Sequence, residues 1–85
     1  MNDRDTPYRP IDCDTHDVLE AAILQGHELH LVWHGDDGLV HTERLRPSDV
    51  VTAGGAEWLE ACSHHGEPLR LRLDRIIRVQ DVAAH

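Results

Sequence analysis

Eighty-five residues make one domain that buries roughly 60–65% of its extended surface, enough for a compact core but not for a deep catalytic cleft. Sixteen acidic residues oppose eight basic ones, all arginine, for a net charge of −8 with histidine neutral; that balance disfavours phosphate backbones and favours basic protein surfaces. No apolar run approaches the ~18 residues of a membrane span, and Met1-Asn2-Asp3-Arg4-Asp5 lacks the basic and apolar regions of a secretory leader, so a cytoplasmic protein is expected.

Residues 1–13 carry Pro7 and Pro10 and no apolar period, and are expected to be an extended lead-in to a single domain over 14–85. At Asp14-Thr15-His16-Asp17 an N-cap residue is followed three positions on by an acid, a variant of the capping box. Val18, Leu19, Ala22 and Ile23 then recur at helical spacing and Gly26 supplies a stop, which predicts a helix over about 15–25.

The period then drops to two. Leu29, Leu31 and Trp33 alternate with His30, Val32 and His34, the pattern of a half-buried strand. Gly35-Asp36-Asp37-Gly38 signals a hairpin, with Asp37-Gly38 a preferred type I′ pair. A second strand is predicted from about Leu39 to Arg46, ending before Pro47, with its register open. Ser48–Thr52 reads as a short strand or turn ahead of the break at Ala53-Gly54-Gly55-Ala56, and Glu57–Ser63 as a strand or a short helix, with alternation and the flanking turns favouring strand. After a turn at 64–68, Leu69-Arg70-Leu71-Arg72-Leu73 is the cleanest strand, with leucines inward and both arginines outward. Asp74-Arg75 interrupts it before Ile76–Val79. One N-terminal helix and four or five strands over about 28–80 imply a mainly β fold, a small antiparallel sheet bent into an Sm-like or SH3-like barrel.

Ser48, Thr52 and Ser63 have no nucleophile context, and Gly54-Gly55 lacks the Lys-Ser/Thr of a phosphate loop, so no enzyme is expected. Eight histidines are many, yet Cys62-Ser63-His64-His65 and Cys13-x-x-His16 are only half-sites, and neither metal nor cofactor is expected. Cys13 and Cys62 are expected to be free, partly buried thiols. The notable cluster is acidic: Asp12, Asp14, Asp17 and Glu20 fall within nine residues. Helix electrostatics accounts for Asp14 and in part Asp17; the remainder reads as a patch suited to a basic groove.

The run Tyr8-Arg9-Pro10-Ile11-Asp12-Cys13-Asp14, continued by Asp17-Val18-Leu19-Glu20, resembles the opening of the Rho-binding antiterminator family (Rof or YaeO). Leu69-Arg70-Leu71-Arg72-Leu73-Asp74-Arg75-Ile76 is similar to the penultimate stretch of that family. The resemblance implies an Sm-like barrel whose partner is the N-terminal RNA-binding domain of termination factor Rho. It implies that Tyr8, Asp12, Asp14, His16, Asp17 and Glu20 face Rho, as a monomer without direct contact to nucleic acid or membrane, and prevent RNA loading. A nucleic-acid-binding Sm-like module is the alternative suggested by the barrel, and the net charge argues against it. A metal-binding role through histidine and cysteine is a more distant one.

Overall fold

In the computed structural model, which describes residues 8–82, helix α1 (Cys13–Gln25) is followed by β1 (Leu29–His34), β2 (Val40–Ala53), β3 (Ala56–Ser63) and β4 (Pro68–Arg72). A 3-10 turn at Leu73–Arg75 then leads into β5 (Ile76–Asp81). Of the expected lead-in, residues 1–7 lie outside the described part of the chain.

Helix α1 starts two residues earlier than its sequence signal suggests. Asp12, not Asp14, is the N-cap: its backbone is extended and its carboxylate accepts the Thr15 N–H at 2.8 Å, while Asp14 lies in the first turn. Asp12 satisfies the otherwise orphaned Thr15 amide, and Asp14, inside the first turn, meets the positive end of the helix. Gly26 ends the helix in the left-handed region at φ 69°, and the His27 N–H returns to the Ala22 carbonyl at 3.0 Å. Leu19 and Ala22 are fully buried, with Val18 and Ile23 packed beside them. This stripe packs mainly on β2 and also on β5.

The five strands form one antiparallel sheet in the order β4-β3-β2-β1-β5, so the fold is mainly β with one helix, as expected. The expectation that the second strand ends before Pro47 fails. β2 runs through Pro47 to Ala53, its first half paired with β1 up to Leu29↔Leu45 and its second half with β3 from Leu45↔Ser63 to Ala53↔Ala56. Pro47 is tolerated because it lies beyond the last residue paired with β1, where the register against β3 shifts between Pro47 and Asp49. One long strand serving two neighbours bends the sheet. Its end strands β4 and β5 are not joined by a ladder among the described residues, so the barrel stays open.

The β1–β2 connection is longer than a two-residue turn, since the ladder closes at His34↔Val40. Gly35 N–H donates to the Leu39 carbonyl at 2.8 Å, and Asp37 accepts the Leu39 N–H at 2.9 Å. The tight turn is at Gly54-Gly55, both with positive φ (60° and 79°), where a side chain would be strained.

Leu19, Leu29, Leu31, Leu45, Leu59 and Leu73 have no exposed surface, and each contributes roughly 1.5–3 kcal/mol by burial. Trp33 closes one end of this core, its ring stacked on its cross-strand partner His41 with centroids 5.5 Å apart. Cys13 and Cys62 are free, but exposed rather than partly buried. No helix among the described residues is long and apolar enough to cross a membrane.

Candidate functional site

Strand β4 follows its period-two pattern for four residues and then breaks it. Arg70 is exposed, with its guanidinium over the Trp58 ring at 5.0 Å from the centroid. Arg72, on the same face by alternation, is only 3% exposed. The outward orientation expected for both arginines therefore holds for one. The cause lies in the 3-10 turn and in a distant segment. The turn brings Asp74 back beneath Arg72, whose Nε donates to Oδ1 and Nη2 to Oδ2, both at 2.7 Å. From the N-terminal side, the Tyr8 ring lies 5.6 Å from the Arg72 guanidinium, and the Arg9 N–H donates to Asp74 Oδ2 at 3.0 Å.

Burial pushes the Asp74 carboxyl up, but the hydrogen bonds from Arg72 and the Arg9 amide, with the charges of Arg72 and Arg75, more than offset it; the group stays below the usual carboxylate range. The Tyr8 hydroxyl is raised, first by burial and then by the Glu57 and Asp74 carboxylates, against the pull of Arg72.

Arg70, Arg72 and Arg75 form one wall of a cleft of about 170 Å³. Trp33 and the start of the β1–β2 hairpin, including Asp36, form the other. The cleft thus gathers three guanidinium groups beside the largely buried Trp33 and the Asp36 carboxylate, a combination suited to a compact anion. A larger groove of about 360 Å³ runs between the start of α1 and β5. Its floor of Ile11, Val18, Ile76 and Val79 is apolar, and its rims carry opposite charges, Asp12 and Asp14 facing Arg78. No set of like groups converges there.

The six residues expected to form one partner-binding face take different local roles. Tyr8 turns inward onto Arg72. Asp12 is occupied by the helix cap, which holds its carboxyl below the usual range through the Thr15 amide and hydroxyl. His16 is half-buried between Glu20, 3.1 Å from Nδ1, and Glu57, 3.2 Å from Nε2, so Glu20 is engaged as well. Asp14 and Asp17 remain as exposed carboxylates. Other histidines also sit beside carboxylates: His27 near Asp81 and His41 near Asp37. Among the described residues no group of three His, Cys, Asp or Glu side chains is placed to hold a metal ion.

Sequence reasoning missed the cleft. One signal was available: four of the eight arginines fall between positions 70 and 78 in a chain that is otherwise strongly acidic.

A family model described as the WYL domain matches residues 14–81, most of the chain. Among solved structures, the fold is similar to that of Proteasome accessory factor B/C (PafBC) of Arthrobacter aurescens, at a TM-score of 0.74 and 18% identity. That likeness covers 88% of this chain and 12% of the PafBC chain, and at this identity it is a likeness of fold. No curated protein matches the sequence. The WYL match overturns the resemblance to the Rho-binding antiterminators, and with it Rho as partner, the block of RNA loading and antitermination. The two motifs that carried the resemblance have local explanations: Ile11-Asp12-Cys13-Asp14 is the cap and first turn of α1, and Leu73-Asp74-Arg75 is the turn that pairs Asp74 with Arg72.

Proposed function

This chain belongs to the WYL domain family, and we propose that it is a non-catalytic regulatory module of the transcription apparatus that senses a small anionic ligand in the arginine cleft. The family assignment favours a ligand-sensing role in transcription regulation. The observation that carries the ligand class is the convergence of Arg70, Arg72 and Arg75 beside Trp33 in a protein of net charge −8. Guanidinium forks match phosphate and carboxylate oxygens. The overall negative charge disfavours a long polyanion, whose affinity depends on many Lys and Arg contacts, and so favours a ligand of one or two charges. In this reading the protein acts in the cytoplasm, and its output is a change of conformation rather than a reaction.

Titration with adenosine monophosphate and with inorganic phosphate, followed by tryptophan fluorescence, tests the proposal, because Trp33 lines the cleft and Trp58 lies under Arg70. Saturable quenching is expected, with at least a tenfold loss of affinity in Arg70→Ala and Arg75→Ala, or about 1.4 kcal/mol each. Absence of saturable binding of either anion at millimolar concentration would refute it.

A further inference from the structure

We infer that the outer edge of β5, with the groove beside the start of α1, takes an extended segment of a partner protein as an added strand, apolar on the face it turns to that groove. The groove shares no lining residue with the arginine cleft, so the inference stands whether or not an anion binds there.

The backbone supplies the first argument. Strand β1 is antiparallel to both β2 and β5, so its residues hydrogen-bond alternately to one and then the other. The Gly35 N–H bond to the Leu39 carbonyl continues the β1–β2 register, and the Val82 N–H bond to the Glu28 carbonyl, at 3.2 Å, continues the β1–β5 register. Odd-numbered residues of β1 therefore serve β2, and even-numbered ones serve β5. Arg78 and Gln80, opposite Val32 and His30, direct their backbone groups to β1. Val79, between them, turns its N–H and carbonyl the other way, where β5 is the last strand of the sheet among the described residues.

The groove supplies the side-chain chemistry. Edge strands are ordinarily guarded by charge or by a covering segment. The edge of β5 instead borders the apolar floor of Ile11, Val18, Ile76 and Val79, and Ile77 beside it is 52% exposed. Side chains of an added strand alternate between two faces. Those on the inner face meet this floor, with the exposed Asp14 carboxylate at its margin. Those on the outer face lie beside Arg78, which is exposed. Neither Asp14 nor Arg78 makes an ion pair among the described residues. The segment that fits is thus apolar with one basic residue on its inner face and acidic on its outer face. Its main chain bonds Val79, and its side chains select the register.

NMR titration of the whole chain with the probe peptide acetyl-Lys-Thr-Val-Glu-Val-amide tests this, because its Lys and Val residues share one face and its Glu lies on the other. The Val79 amide signal is expected to shift saturably. A peptide of the same composition without the alternation, acetyl-Val-Val-Thr-Lys-Glu-amide, should bind about tenfold more weakly. Val79→Pro removes the outward N–H, which β1 does not use, at an edge position that admits proline; it should weaken binding about tenfold. Arg78→Glu should weaken it about fivefold, and a peptide with Lys in place of Glu should then bind this variant better than the original peptide does. Absence of any Val79 shift at millimolar peptide overturns the inference, as does equal binding of the two peptides or equal binding to the unaltered chain and Val79→Pro. If Val79→Pro does not fold, the charge exchange at Arg78 decides, and a preference for the original peptide in Arg78→Glu overturns it. A Val79 signal that moves with protein concentration alone gives the edge to a second copy. A Val79 amide that exchanges slowly at every dilution of the free chain gives it to the chain itself. Either result overturns the partner segment.

Discussion

Replacing Arg72 and Arg70 separately by alanine gives the sharpest test of the structure, because alternation along β4 treats the two as equivalent. Arg70→Ala removes an exposed guanidinium from the Trp58 ring, an interaction of about 0.5–1 kcal/mol at a surface site. Arg72→Ala leaves the Asp74 carboxylate enclosed without its bidentate partner and strips the cation from beneath Tyr8. Breaking one side of a buried pair costs about 3–5 kcal/mol. A domain of this length is stable by about 4–13 kcal/mol in total, so Arg72→Ala is expected to lose a large share of its stability. Urea unfolding at pH 7 should show midpoints for the two variants separated by the equivalent of at least ~2 kcal/mol at equal m-value. Acid adds a second arm. Asp74 titrates below its unfolded value, so the pair contributes fully above the ordinary aspartate range near ~4 and loses its contribution as pH falls through the folded value. The gap between the variants should therefore narrow below about pH 4. Arg70→Ala and Arg72→Ala unfolding within ~0.5 kcal/mol of one another at pH 7 would refute the buried-pair assignment.

The helix cap gives a second comparison: Asp12→Ala should lower the unfolding midpoint more than Asp14→Ala, since only Asp12 receives the Thr15 amide. Leu59→Ala, at a site with no exposed surface between β2 and β4, should cost about 2–5 kcal/mol in urea unfolding. Gly55→Ala meets no neighbouring atom, so its expected loss of about 1–2 kcal/mol comes from the φ of 79° alone, and Gly55→Asn should recover part of it.

Local chemistry determined most of the elements. Val18, Leu19, Ala22 and Ile23 before Gly26 dictate a helix with one buried stripe and a left-handed stop, wherever the rest of the chain goes. Leu29, Leu31 and Trp33 face inward because a strand has period two and these are its large apolar residues. Two consecutive glycines at 54 and 55 permit the positive φ values of a tight hairpin. The helix start was placed two residues late because Asp14 heads the capping-box pattern, whereas in the fold the Thr15 amide is taken by Asp12. Pro47 read as a terminator because the sequence does not reveal that β2 changes neighbours there and that the ladder shifts around it.

The cleft was out of reach for a different reason. Sequence pattern specifies which face of β4 Arg70 and Arg72 share, and nothing about what covers that face. The Tyr8 ring covers it at Arg72 and leaves Arg70 in solvent, across a separation of more than sixty residues. Local periodicity carries no information over that distance. The 3-10 turn that pairs Asp74 with Arg72, and the N-terminal segment that packs on that pair, make one arginine a buried, paired group and leave the other at the surface.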